Sequence, residues 1–138
     1  NMLTTYGSRT ALHAWQLFDG IDAGGTQLGV ASDITTSHTG QTQDITDLYV
    51  ADATIGFNSN PIYSGTSTNP ALDELVIDYD LGSAAIVKSI LFKHRDPPGS
   101  LLPLVTATLQ TSQDGVTYTN HTNLSFNAAL TSGETFNI

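Results

Sequence analysis

Between Leu75 and Thr119 the chain runs through three apolar-rich segments separated by turn formers, and this stretch restricts the choice of fold more than any other. Leu75, Ile77 and Tyr79 alternate with Val76, Asp78 and Asp80, the period-2 pattern of a strand with one drier face. Leu81-Gly82-Ser83 interrupts that run, and Ile86 to Phe92 follows as a second one rich in β-branched residues. Pro97-Pro98-Gly99 forces a loop. Val105, Ala107 and Leu109 then alternate with Thr106, Thr108 and Gln110. Asp114-Gly115 turns the chain, and Val116 and Tyr118 are expected to carry the alternation back, making residues 104–119 a β-hairpin.

The rest of the chain supports the same class. Residues 2–6 read as a short first strand, and Thr26 to Ala31, Leu48 to Phe57, Leu124 to Leu130 and Thr135 to Ile138 read as weaker ones. Residues 19–25 (DGIDAGG) and 58–70 (NSNPIYSGTSTNP) are loops by composition, and residues 32–47 are polar and turn-rich. The exception is Ala11 to Phe18, ALHAWQLF. Ala, Leu and Gln favour helix, and Leu12, Trp15 and Phe18 recur at a spacing of three, so a short N-terminal helix is expected. Many short strands with frequent turns predict an all-β protein, an antiparallel β-sandwich or jelly roll with that one helix.

Composition narrows function by exclusion. The chain has 138 residues, which predicts a single domain. Charged residues make up 12%, about half the usual share, and the formal net charge is −9 with only Arg9, Lys88, Lys93 and Arg95 basic. Phosphate neutralisation cannot drive binding with so few cations, so no nucleic-acid partner is expected. An anionic membrane surface is disfavoured on the same ground. No apolar run approaches the roughly 18 residues of a helical span, so membrane insertion is not expected. The absence of cysteine removes disulfides, zinc-thiolate sites and cysteine nucleophiles from consideration. Ending on a strand-like run, the chain reads as a piece of a longer polypeptide.

Four segments together resemble the discoidin family, also called the coagulation factor 5/8 type C or galactose-binding-like domain. Ala14-Trp15-Gln16-Leu17-Phe18-Asp19-Gly20 is similar to the family's early segment. Leu75 to Gly82 (LVIDYDLG) is similar to its hydrophobic-x-Ile-Asp-Leu-Gly strand, and Val87 to Arg95 to the next strand, which ends in Arg. Leu109 to Tyr118 (LQTSQDGVTY) resembles its V-x-x-S-x-D-G-x-x-W hairpin, with Tyr118 in the aromatic place. Cover is firm over residues 75–119 with an anchor at 14–20. Residues 32–72 are longer than the family allows, and a Trp after the early loop, the closing strand and the terminal cysteines have no counterpart. The resemblance is therefore to bacterial or phage members and implies an eight-stranded jelly roll.

Two sites follow. The resemblance implies a structural Ca²⁺ at the early loop, held by Asp19, Asp22, Thr26 and the carbonyl of Gln16. Calcium takes six to eight oxygens, and Gly20, Gly24 and Gly25 allow carbonyls to turn inward. The competing reading is that Asp19 merely caps a turn by an Asx hydrogen bond. The resemblance also implies a sugar site at the end of the second strand, with Arg95 donating to vicinal hydroxyls beside His94 and Asp96. Tyr63, Phe57, Tyr49 and His38 are the rings available to complete it. The competing reading pairs Arg95 with Asp96 at the rim.

Other residues are read plainly. Trp15 belongs to the core rather than to a sugar platform, and His13 and His121 to the surface. Asp73-Glu74 and Asp78/Asp80 are carboxylate pairs, but strand residues that face apart cannot share one cleft, and no nucleophile elbow, phosphate loop or HExxH motif is present. No enzyme is expected. The expectation is a non-catalytic module that binds glycan or another surface receptor, outside the cell or on a virion or cell surface. The alternative is a structural virion or surface-assembly domain, a decoration, fibre or shell protein that pairs with copies of itself or with other chains.

Overall fold

A computed structural model describes residues 2–5, 11–36, 44–50, 57–58, 74–94, 106–126 and 133–138. These form nine strands and two short 3-10 turns. The strands are β1 (Met2–Thr5), β2 (Ala11–Phe18), β3 (Ile34–Thr36), β4 (Phe57–Asn58), β5 (Glu74–Tyr79), β6 (Ser89–His94), β7 (Thr106–Thr111), β8 (Thr119–Ser125) and β9 (Glu134–Asn137). One sheet has the order β3-β5-β1-β7-β8 and the other β4-β2-β6-β9, and every pairing is antiparallel.

The expected N-terminal helix is a strand. Ala11–Phe18 pairs with β6 along its length, and its register shifts between Leu12 and Ala14, where β2 carries an extra residue at His13. That bulge is the physical source of the misreading. It stretches the spacing of one face from two residues to three, so Leu12, Trp15 and Leu17 stand opposite His94, Phe92 and Ile90 in a single row. Leu12 and Trp15 therefore mimic the i, i+3 repeat of a helix. Phe18, which a helix would add to that face, lies on the other. The strand is also buried on both faces from Leu12 to Leu17, so no polar alternation betrays it. Trp15 is core, as expected. His13 is buried rather than on the surface, because it occupies the bulge.

Both sheets feed one apolar cluster. The second sheet supplies Leu12, Trp15, Leu17, Ile90 and Phe92; the first supplies Ile34, Ile77, Ala107, Leu109 and Leu124. Rings from the two sides meet: Trp15 packs edge-on to Tyr79 at 5.9 Å, and Phe92 lies 4.2 Å from Phe126, which follows β8. Ile45 and Leu48 of the 3-10 turn Ile45–Tyr49 complete the cluster. That turn falls where the sequence predicts the start of a strand, and only the two residues of β4 follow among those described.

Strand limits moved in two instructive places. β6 begins at Ser89, and Ile86 ahead of it is 74% exposed. β8 begins at Thr119, so Val116 and Tyr118 belong to the turn, and Val116 is 82% exposed.

Candidate functional site

The early loop leaves β2 at Phe18 and is closed by protein donors. Asp19 accepts the Thr26 amide on Oδ1 at 2.6 Å, and the Asp19 amide donates to the Thr26 carbonyl at 3.1 Å. Inside this clasp the Gly20 amide donates to the Gly24 carbonyl and the Gly24 amide to the Ile21 carbonyl. The backbone is left-handed at Asp22, Ala23 and Gly25. A Cβ on Gly20 would come within 2.5 Å of the Gly24 oxygen, so the tight inner turn requires glycine there.

Neighbouring strands hold the loop from outside. Ser89, fully buried at the start of β6, donates to the Gly20 carbonyl at 2.5 Å and accepts the Ala23 amide at 2.9 Å. Asn137 of β9 exchanges two hydrogen bonds with Asp22: it accepts the Asp22 amide at 2.8 Å and donates to the carboxylate at 2.9 Å. Gln16, whose backbone carbonyl is the expected ligand, stands within β2 opposite Leu91. Its side-chain amide and that of Gln27 donate to the Tyr49 carbonyl, at 2.5 and 2.8 Å.

Calcium needs six to eight oxygens. In this loop the carbonyls of Gly20, Ile21, Gly24 and Thr26 each accept a protein donor, and Asp19 and Asp22 each accept one on Oδ1. Among the described residues no group of three His, Cys, Asp or Glu side chains is placed to hold a metal. Asp19 acts as the Asx cap that the sequence offered as the competing reading.

Of the second candidate, His94 lies at the other end of the same sheet. His94 closes β6 opposite Leu12, and Leu12 also stands opposite Phe57 of β4. Phe57, Leu12 and His94 thus form one row across three strands, at the end from which residues 95–105 leave for β7 in the other sheet. Arg95, Asp96, Tyr63 and His38 lie outside the described residues. Tyr49 is unsuited as a sugar platform: it packs against the core and its hydroxyl donates to the Gly29 carbonyl at 2.9 Å. From Ser89 to His94 is five steps along a strand, about 17 Å, so His94 is remote from the early loop.

A third feature was not anticipated. The outward face of the first sheet, opposite its core side, carries hydroxyl and amide side chains. Thr108 donates to Asn123 at 3.1 Å and Gln110 to Asn120 at 2.7 Å, forming two rungs between β7 and β8. At the end of this ladder Tyr118 lies near Asp78 of β5. Asp78 and Asp80, expected to face apart, both act on that phenol; its pKa is raised by burial first and then by these carboxylates and Asp114.

The turn before Tyr118 is built by one side chain. Asp114 accepts the amides of Val116 and Thr117 at 2.9 and 2.7 Å and the Ser112 hydroxyl at 2.9 Å. Backbone amides stabilise the anion, so its pKa is held well below the usual carboxylate range. Ser112 in turn accepts the Gly115 amide at 2.9 Å, and Gly115 is left-handed with φ +70°. The sequence signal for this face is the alternation of Thr108 and Gln110 with Ala107 and Leu109; residues 119–123, most of β8, carry no apolar alternation that marks a strand.

No helix among the described residues is long and apolar enough to cross a membrane. Comparison with known proteins adds no kinship: no family model, no curated protein and no solved structure matches the chain.

Proposed function

We propose that the chain is a discoidin-like β-sandwich that binds glycan at a cell or particle surface without catalysis. The observation that carries this reading is the place of His94, which ends β6 where residues 95–105, the segment that holds Arg95 and Asp96, begin. The resemblance assigns sugar binding to the same segment. An arginine fork suits vicinal hydroxyls, and shallow polar contacts of this kind bind weakly one at a time. Display in many copies would raise avidity, which suits an appendage of a larger surface protein. This reading does not depend on calcium. The test is a glycan array probed with a multivalent display of the domain beside its Arg95→Ala variant. A signal that Arg95→Ala abolishes supports the reading; no signal on any glycan overturns it.

A second reading, assembly into a surface or virion lattice, is favoured by one feature. β8 ends its sheet in the observed strand order, and Thr119 to Asn123 are exposed. An edge strand offers a row of backbone groups for pairing with another chain. Light scattering behind a sizing column decides it: a stable monomer at high concentration excludes self-assembly through this edge.

A further inference from the structure

We infer that the outward face of the β3-β5-β1-β7-β8 sheet, at its β7–β8 side, is a second carbohydrate site, specific for neutral polysaccharide chains. The inference rests on the reading of the domain as a glycan-binding module but places the contact away from the 95–105 segment. Three observations converge on it.

The first is chemical. Thr108, Gln110, Asn120 and Asn123 form a continuous strip of hydroxyl and amide groups. Amides carry a donor and an acceptor on one planar group, which matches the paired hydroxyls of a sugar ring. Thr106 and Ser125, paired at the next position and exposed, extend the strip with two more hydroxyls.

The second is geometric. Tyr118 stands at the end of this strip, 36% exposed, with Asp78 near its phenol. Set on a turn, its exposed ring offers a platform for the apolar face of a sugar. The turn beneath it is clamped by Asp114 through two backbone amides and Ser112.

The third is electrostatic and selects the ligand. The residues of the strip are uncharged, and the charges beside Tyr118 are Asp78, Asp80 and Asp114. A polyanionic glycan would be repelled, whereas a neutral chain is tolerated and gains a carboxylate acceptor for its hydroxyls. Sheet strands lie about 4.8 Å apart, and successive same-face residues about 6.8 Å along a strand. A flat strip of that pitch suits an extended chain better than a single terminal sugar.

Affinity electrophoresis tests the inference, with wild-type protein run through gels containing a neutral β-glucan, xylan, mannan or galactan, and through gels containing an anionic polysaccharide. At least one neutral polymer should retard the protein and the anionic one should not. Tyr118→Ala should weaken retardation about tenfold in apparent affinity, the share expected of one aromatic stacking contact. Tyr118→Phe, which keeps the ring, should retain most of it. Ile86→Ser, exposed on the segment that leads into β6 of the other sheet, should behave as wild type. If Tyr118→Ala fails to fold, Asn123→Arg blocks the same face from an exposed position, and its loss or retention of retardation is read in the same way.

Retardation that survives the substitution on the strip overturns the inference, as does the absence of retardation by every neutral polymer. An array signal that still depends on Arg95 would then leave the loop-end reading standing. Loss of both signals removes the glycan-binding reading altogether.

Discussion

Asp114 shows how one side chain can set a local structure. Its carboxylate takes two successive amides and a serine hydroxyl, and this network keeps Val116 and Thr117 out of the strand. The Asp-Gly pair announces the turn in the sequence, but the alternation of Val116 and Tyr118 disguises its length. Periodicity registers which residues are apolar, not which amides an upstream carboxylate has captured. The same network yields a pH prediction. A carboxylate whose folded pKa lies below its unfolded value stabilises the fold at any pH above the unfolded value, about 3.9. The benefit fades as pH falls from there through the folded value. Asp114→Asn keeps an acceptor but removes the charge, so its melting temperature should fall below wild type at pH 6. The gap should close on acidification below about pH 4. Thermal unfolding followed across that range measures it, and a gap independent of pH would show that the charge contributes nothing.

At the level of elements, β2 and β6 explain both what the sequence disclosed and what it hid. β5 and β7 were legible because one face of each is core and the other is polar: Ile77 and Leu109 are buried while Thr106 is exposed. β2 was not, because both its faces are covered and its bulge resets the spacing at His13. The early loop was legible as a loop, and its Asx cap was among the readings offered. Its anchorage was hidden, since Ser89 and Asn137 come from strands 66 and 115 residues away along the chain. No local pattern reports a bond of that range. Ser89→Ala should leave the Gly20 carbonyl and the Ala23 amide without their buried partner. The expected loss is about 1–3 kcal/mol, measured by denaturant unfolding. Hydrogen bonds within the protein already close the loop, so excess EGTA should leave the melting curves of wild type and Ser89→Ala unchanged. A drop in the wild-type curve on chelation would restore calcium to the loop.

Across the whole molecule, strand pairing sets the two ends of the second sheet apart. Phe18, Ser89 and Asn137 stand in one row at the end of the early loop, while Phe57, Leu12 and His94 stand in another at the end where residues 95–105 begin. The rows are about 17 Å apart through a stiff sheet with a shared core. Sequence motifs placed both candidates in one family pattern but could not reveal this separation, since only strand register sets it. Groups that far apart with no shared partner should act independently. Asp19→Ala, which removes the cap on Thr26, should lower stability by about 1–2 kcal/mol. At a temperature where the variant is still folded, its glycan signal on the array should match that of wild type. Combining it with Arg95→Ala should give the sum of the single effects, with stability set by Asp19 and binding by Arg95. A binding defect in folded Asp19→Ala would mean that the two ends communicate, and the sheet between them could then no longer be treated as a rigid spacer.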